Sequence, residues 1–140
     1  MKYLFQAIEA RFNANPTLRL KSRKLFEGFE EARVNVVKPY TEVNAAMVER
    51  LDTFGSDIET WELNFRFHAQ DLKTGAADDW IDAMTDAFKD ANIRAGQFST
   101  AGVRMLGASV PKLSNGVFDA TVRFRLIFQR SVNLPLVRHN

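Results

Sequence analysis

Cysteine is absent from this chain of 140 residues, and its absence removes several kinds of chemistry at once. Disulfide scaffolds, thiol nucleophiles, thiolate zinc sites and iron–sulfur clusters all need cysteine. Histidine is scarce as well, with 2 residues, His68 and His139. A metal site at His68 would need carboxylates such as Glu59 or Glu62 to converge on it, and their spacing on a strand matches no ligand motif. We therefore expect no metal, and we expect His68 to be an ordinary surface residue.

Residues arranged for catalysis are equally sparse. No serine or threonine lies in a nucleophile elbow, and no glycine pattern resembles a phosphate cradle. Adjacent acids occur at residues 30–31 and 78–79, but acid–base catalysis needs carboxylates in environments that separate their pKa values, usually by burial. Acids in a loop or at the start of a helix point to solvent instead. The sequence therefore predicts neither an enzyme nor a cofactor.

Long apolar runs are missing too. No stretch approaches the roughly 18 apolar residues of a membrane span. Gln6 and Glu9 interrupt the N-terminal region, where a secretory signal needs an unbroken apolar core. We therefore expect a soluble, cytoplasmic product that makes no contact with a membrane.

The composition is that of an ordinary globular domain, with 46% hydrophobic and 26% charged residues. A chain of this length buries about 68–70% of its unfolded surface, so a core can form without metal or disulfide bonds. We expect a single domain over residues 1–130. Residues 131–140, which include Pro135, are predicted to be a C-terminal arm that orders only against a partner or not at all.

Apolar residues at helical spacing predict two helices. The first covers residues 2–13 and stops at Asn15 and Pro16. The second has Thr74 as a candidate cap and a buried stripe formed by Trp80, Ile81, Met84, Ala87, Phe88 and Ala91. Between them lies a basic stretch, residues 19–24, which lacks interleaved aromatics and is interpreted as a solvated loop.

Extended segments make up most of the remainder. Residues 33–48 have an extended pattern, and residues 60–70 alternate strictly between apolar and polar side chains. Residues 103–113 and 117–130 are joined by Ser114-Asn115-Gly116, in which Asn-Gly is a strong hairpin signal. Together the segments predict an α+β fold, a mostly antiparallel sheet with two helices packed on one face.

Two surfaces are candidate protein-contact sites. If the strands 60–70 and 117–130 are neighbours, the polar face of the sheet combines Glu62, Arg66, His68, Arg123 and Arg125. Such a face is equally compatible with a solvated surface and with a subunit contact. Residues 50–58 are predicted to be a loop that carries Asp52 and one exposed aromatic side chain, Phe54, and loops of this kind often hold function.

Charge is distributed unevenly along the chain. The formal net charge is only +2, but residues 101–140 carry +5 and residues 1–100 carry −3. Complementary charge between copies would steer association, although a folded domain can interleave the two halves. The alternative is a small nucleic-acid-binding module that uses the basic C-terminal strand, whose affinity for DNA or RNA would fall steeply with salt. The small net charge makes nucleic-acid binding the less favoured reading.

Several short motifs occur in a characteristic order. They are an Asn-x-Asn-Pro-x-Leu turn over residues 13–18, Leu25-Phe26-Glu27-Gly28, Lys38-Pro39-Tyr40-Thr41-Glu42-Val43, Thr53-Phe54, the aromatic strand 61–67, Thr74-Gly75-Ala76 and Val122-Arg123-Phe124-Arg125. In this order they resemble the tail-terminator or tail-completion proteins of long-tailed bacteriophages. The resemblance covers residues 1–130, and residues 28–36 and the basic tail after Arg130 depart from it.

The resemblance implies a structural virion protein of the tail and neck that assembles in the host cytoplasm. Such a subunit forms a ring, typically a hexamer, on the head-proximal end of the tail tube and joins the tube to the head connector. Its partners are other copies of itself, the tail tube protein and the head–tail connector protein. The loops that contact the tube would correspond to residues 50–58 and 107–116, and the family has no catalytic residues. The expected contact residues are Phe54, Asp52, Arg66, Arg123 and Arg125.

Overall fold

The computed structural model describes residues 3–22, 24–30, 39–70, 76–109, 112–114 and 117–131. Its helices are α1 (Leu4–Asn13), α2 (Pro16–Lys21) and α3 (Ala76–Phe88). Its strands are β1 (Leu25–Glu27), β2 (Tyr40–Thr53), β3 (Ser56–Gln70), β4 (Arg94–Ala95), β5 (Phe98–Ala108), β6 (Lys112–Ser114) and β7 (Val117–Ser131). The predicted arm lies outside the described residues except for Ser131, so the arm and the domain limits stay predictions.

The two predicted helices are confirmed, and a third is added. Helix α1 buries Leu4, Ile8 and Phe12, which share one face because they are four residues apart. The short helix α2 takes up residues 19–21 of the predicted loop 19–24, so the loop was wrong there, although Arg19 and Lys24 are exposed as expected. Pro16 occupies its first turn, the Asn15 side chain accepts a hydrogen bond from the backbone N–H of Leu18 at 3.1 Å, and Leu18 is buried.

Helix α3 matches its predicted stripe. Trp80, Met84, Ala87 and Phe88 are buried, while Ile81 is half-buried. Ala91 is buried but follows the end of the helix at Phe88. Asp78 and Asp79 lie in the first turn, where the helix dipole favours negative charge. The predicted cap, Thr74, lies outside the described residues.

The strands form one 7-stranded sheet in the order β1-β2-β3-β7-β5-β4, with β6 paired to β7. Every pairing is antiparallel except that of β1 with β2. The predicted hairpin is confirmed, since Ser114 pairs with Val117. The α+β class is therefore confirmed, with a mostly antiparallel sheet. Among the described residues, β1 flanks β2 only from Thr41 to Val43, which leaves the rest of that edge open.

The predicted loop over residues 50–58 is wrong, because these residues continue two paired strands. Strand β2 extends to Thr53, which pairs with Ser56 at the start of β3. Only Phe54 and Gly55 form the turn, and Gly55 adopts a φ of 92°, a conformation that side chains disfavour. The register shifts between Met47 and Glu49, which marks a bulge in β2. The turn of this hairpin therefore lies at one end of the long strand pair formed by β2 and β3.

The core lies between the helices and one face of the sheet. Phe65 and Phe67 of β3 point into it, as alternation predicted, and so does Phe124 of β7. Phe65 packs on Phe88 of α3 with ring centroids 4.9 Å apart, and Phe67 stacks on Trp80 at 5.0 Å. We call the opposite side of the sheet the outer face. Because the helices pack against the inward side, this packing leaves the outer face free to carry polar side chains.

Candidate protein-contact surface

The outer face brings several of the predicted contact residues together. Strands β3 and β7 are neighbours, with Glu62 opposite Arg125 and Arg66 opposite Thr121. Arg123 lies opposite Asn64 on the same face. The prediction that these strands place a mixed, partly cationic set of side chains on one face is therefore confirmed. What the individual residues do there differs.

Arg66 belongs to an ionic cluster formed by Glu42, Arg66, His68 and Asp119. The Glu42 side chain is 0% exposed, and its Oε1 accepts hydrogen bonds from Arg66 Nη2 at 2.9 Å and Nε at 3.2 Å. His68 Nε2 lies 2.7 Å from the same oxygen, and its Nδ1 lies 2.8 Å from Asp119 Oδ1. The cluster ties β2, β3 and β7 together across the outer face.

The chain after β1 covers part of this cluster. The backbone N–H of Glu30 donates to Glu42 Oε2 at 3.1 Å, and Arg66 lies over the ring of Phe29 at 4.3 Å from its centroid. On the other side Tyr40 stacks on His68, with ring centroids 4.8 Å apart. A buried charge needs such partners to offset its lost hydration. These contacts indicate that Arg66 stabilises the fold of this protein by holding the buried carboxylate of Glu42.

The prediction that His68 is an ordinary surface residue was wrong. The residue is only 7% exposed, because Glu42 and Asp119 approach it from the two neighbouring strands. The carboxylates considered from sequence, Glu59 and Glu62, are not the ones that meet it. Among the described ranges, no three His, Asp or Glu side chains are arranged to hold a metal ion.

A separate group on the outer face is a cationic strip formed by Arg104, Arg123 and Arg125. Arg104 of β5 lies directly opposite Arg125 of β7. Arg125 Nη2 donates to Glu62 Oε2 at 2.6 Å, while its buried Nε has no hydrogen-bond partner in the described part of the chain. Arg104 and Arg123 are exposed. Like charges opposite each other on paired strands are destabilising, so packing alone does not account for the strip.

Phe54 and Asp52 lie at the tip of the β2–β3 hairpin. Phe54 is 94% exposed, and Asp52 Oδ1 accepts a hydrogen bond from Arg50 Nε at 3.0 Å. Glu62, beside the strip, lies six positions after Ser56, at the tip, which corresponds to about 20 Å along β3. The predicted contact residues therefore fall into three groups: Arg66 in the ionic cluster, Arg123 and Arg125 in the cationic strip, and Asp52 and Phe54 at the tip. The sequence missed Arg104 as a member of the second.

The inward side of the sheet near this tip carries a second set of charges. Arg130 Nη2 donates to Asp57 Oδ2, and the Trp61 indole N–H donates to Glu59 Oε1 at 2.9 Å. The Arg130 guanidinium lowers the pKa of Asp57 below its ordinary value. Asp52, through its hydrogen bond, raises the pKa of Arg50. The contact between Arg130 and Asp57 joins β7 to β3, whereas the other two contacts each lie within a single strand.

Replacing Asp57 with asparagine is expected to change how stability depends on pH. Because the pKa of Asp57 is lowered in the folded state, its contribution is present above about pH 4 and is lost as pH falls through the folded-state pKa. The melting temperature of Asp57→Asn should therefore lie below that of the unsubstituted protein near neutral pH, and the two should converge in acid. A difference that widens below pH 4 would contradict this.

An open pocket of about 220 Å³ lies between α1 and the start of β2. Its lining is formed by Leu4, Phe5, Ile8, Glu27, Gly28, Val43, Asn44, Ala45 and Trp61. Glu27 supplies the one carboxylate in this lining. Asp57, whose pKa is lowered, does not line the pocket. The pocket therefore lacks the pair of carboxylates in contrasting environments that acid–base catalysis requires.

Among the described helices, none is long and apolar enough to cross a membrane.

Comparison with known proteins gives a likeness in fold. No protein-family model matches the chain, and no curated protein matches it in sequence. A chain in the solved structure of the virion of a native gene transfer agent particle matches with a TM-score of 0.75 at 13% identity, covering 91% of this chain and 96% of that chain. A second solved structure matches with a TM-score of 0.59 at 10% identity, covering 95% of this chain and 96% of the other. The protein therefore shares its fold with a chain found in an assembled virion.

Proposed function

We propose that this protein is a structural virion subunit, a tail terminator or tail-completion protein that forms a ring on the head-proximal end of the tail tube. The observation that carries the proposal is the shared fold, which extends over 91% of the chain with a TM-score of 0.75 to a chain of a virion. The sequence motifs that resemble the tail-terminator family run over the same residues. The shared fold and the order of the motifs both support the proposal.

The distribution of exposed groups fits a subunit that joins other proteins. A ring subunit needs two different patches that meet between neighbouring copies, and further surfaces for the tube and the connector. The chain offers the hairpin tip with Phe54 and Asp52, and the cationic strip with Arg123 and Arg125, about 20 Å apart along the sheet. In this proposal the tip contacts the tail tube and the strip contacts a protein neighbour. Arg66, as part of the ionic cluster, stabilises the outer face that carries the strip.

Electron microscopy of negatively stained samples tests the proposal directly. The purified protein should form closed rings, with hexamers as the expected form, and should cap one end of isolated tail tubes. The rings should persist on the tubes and should be missing when the protein is omitted. A protein that stays monomeric at high concentration and forms no ring in the presence of tubes would contradict the proposal.

Phe54→Ala is expected to weaken attachment to tail tubes while leaving the fold intact. The side chain is 94% exposed, so its removal should change the unfolding free energy by no more than about 0.5 kcal/mol. Leu20→Ala is the matched control, because Leu20 is 85% exposed on α2 and lies away from the tip. Co-sedimentation with tubes should fall for Phe54→Ala and not for Leu20→Ala. Equal binding of both variants would argue against the tip as a contact.

A further inference from the structure

The molecule carries opposite charges on its two opposite sides. The outer face bears the cationic strip of Arg104, Arg123 and Arg125. On the other side of the sheet, the solvent-exposed surface of α3 bears Asp78, Asp82 and Asp86, which we call the acidic ridge. These aspartates are four residues apart, so they form one row along the helix. Other charges are mixed in with both surfaces, since Glu62 lies beside the strip and Lys21 pairs with Asp79 next to the ridge.

Both surfaces retain charge that is not fully paired among the described residues. Arg104 opposes Arg125 across a strand pair, and aspartates at a spacing of four residues repel each other on a helix. Within the described residues, Asp86 has an exposed ion pair with Lys89 at 3.6 Å, whereas Asp78 and Asp82 have none. A partner of opposite charge would relieve the repulsion on each surface.

The arginines of the cationic strip and the aspartates of the acidic ridge are spaced similarly. Arg123 and Arg125 are two residues apart on a strand, which separates them by about 6.6 Å along β7. Successive aspartates of the ridge are separated by about 6 Å along the axis of α3. A helix laid along β7 would therefore place two consecutive aspartates opposite two consecutive arginines.

We propose that the acidic ridge of one copy docks on the cationic strip of the next copy. The inference rests on the proposed ring and names the contact between its subunits. The contact is heterologous, because a helix surface meets a sheet surface, and a heterologous contact closes into a ring when the rotation between copies allows it. Glu62, which lies beside the strip, is bonded to Arg125 and would repel any acidic partner alike, so the choice of partner rests on the acidic ridge that the chain itself carries. Charge complementarity within the chain thus favours a second copy as the partner.

Charge-reversal variants test the contact. Arg123→Glu and Asp82→Lys should each weaken self-association by about tenfold or more, because each brings like charges together in the contact. Combining both substitutions in one chain should restore assembly, since the reversed residues then attract each other. Arg94→Glu, which makes the same charge change at an exposed residue of β4, is the control and should assemble normally. Sedimentation velocity measures the association, and circular dichroism melting checks that each variant folds.

The possible results separate the inference from the proposed function. If the unsubstituted protein forms rings and both single variants form them equally well, the contact is wrong while the ring stands. If the unsubstituted protein forms no ring, even with tail tubes, both are wrong. If Arg123→Glu abolishes binding to a single-stranded or duplex oligonucleotide but leaves assembly unchanged, the strip is a nucleic-acid surface and the inference fails. Rescue by the double variant supports the contact.

The dependence of ring assembly on salt concentration is an independent measurement on the same samples. Charge attraction between surfaces is screened over about 8 Å at physiological ionic strength and about 3 Å at 1 M salt. Rings held by this contact should therefore dissociate as salt is raised, and the reversed double variant should show the same dependence. Rings that become more stable with salt would indicate an apolar contact and would overturn the inference.

Discussion

Replacing Glu42 with alanine is expected to lower the unfolding free energy by about 3–5 kcal/mol, as measured by denaturant titration. The Glu42 carboxylate is fully buried and lies within hydrogen-bonding distance of Arg66 and His68. Removing it leaves Arg66, whose side chain is 27% exposed, without its carboxylate partner, and it leaves the buried ring of His68 with one polar contact fewer. The backbone N–H of Glu30 also loses its acceptor, so the chain after β1 should become less protected from hydrogen exchange.

Glu62→Ala is the matched control for this substitution. Glu62 also pairs with an arginine of the outer face, Arg125, but both side chains are partly exposed. Exposed pairs contribute little, so this substitution should lower the unfolding free energy by less than about 1 kcal/mol. If Glu42→Ala were no more destabilising than Glu62→Ala, the ionic cluster would not hold the outer face together.

Replacing Trp80 with alanine is expected to lower the unfolding free energy by about 3–5 kcal/mol through the cavity it leaves in the core. Trp80 is fully buried and stacks on Phe67 of β3 with ring centroids 5.0 Å apart. Its indole N–H also donates to the hydroxyl of Thr41 at 3.1 Å. The substitution therefore weakens the packing of α3 on the sheet and leaves a buried hydroxyl with one bond fewer.

Trp80→Phe separates the two contributions. Phenylalanine keeps much of the ring volume and the stacking on Phe67 but cannot donate to Thr41. A loss clearly smaller than that of Trp80→Ala would assign most of the effect to packing. If the two substitutions were equally destabilising, the hydrogen bond to Thr41 would dominate, contrary to the usual net contribution of about 1 kcal/mol for such a bond.

The parts of the fold predicted from sequence are those with a local signal. Residues 60–70 alternate strictly because one face of β3 is buried and the other is polar, so the strand and its inward side were both predictable. Helix α3 was predictable because its apolar stripe repeats with the helical period. Helix α2 was missed because its one buried apolar side chain, Leu18, is surrounded by basic and polar residues.

The parts that were missed depend on pairing between distant strands. The distal half of β2 is exposed on both sides, so it shows no alternation and residues 50–58 resemble a loop. Glu42 reaches His68 only because Tyr40 pairs with His68 and Glu42 with Arg66, a register that no local motif encodes. Arg104 joins the strip through the pairing of β5 with β7, and a register shift between Met105 and Gly107 disturbs the alternation that would have revealed it.

The edge of β2 beyond Val43 bears on the tendency of the protein to aggregate. Beyond Val43, backbone N–H and C=O groups along this edge have no neighbouring strand among the described residues, and Met47, Val48 and Leu51 are exposed beside them. Such an edge can template pairing with any other extended chain and so promotes amyloid-like aggregation. The bulge between Met47 and Glu49 interrupts the edge and twists it, and Glu49 and Arg50 place charge next to it. The bulge and these charges therefore disfavour pairing of this edge with another extended chain.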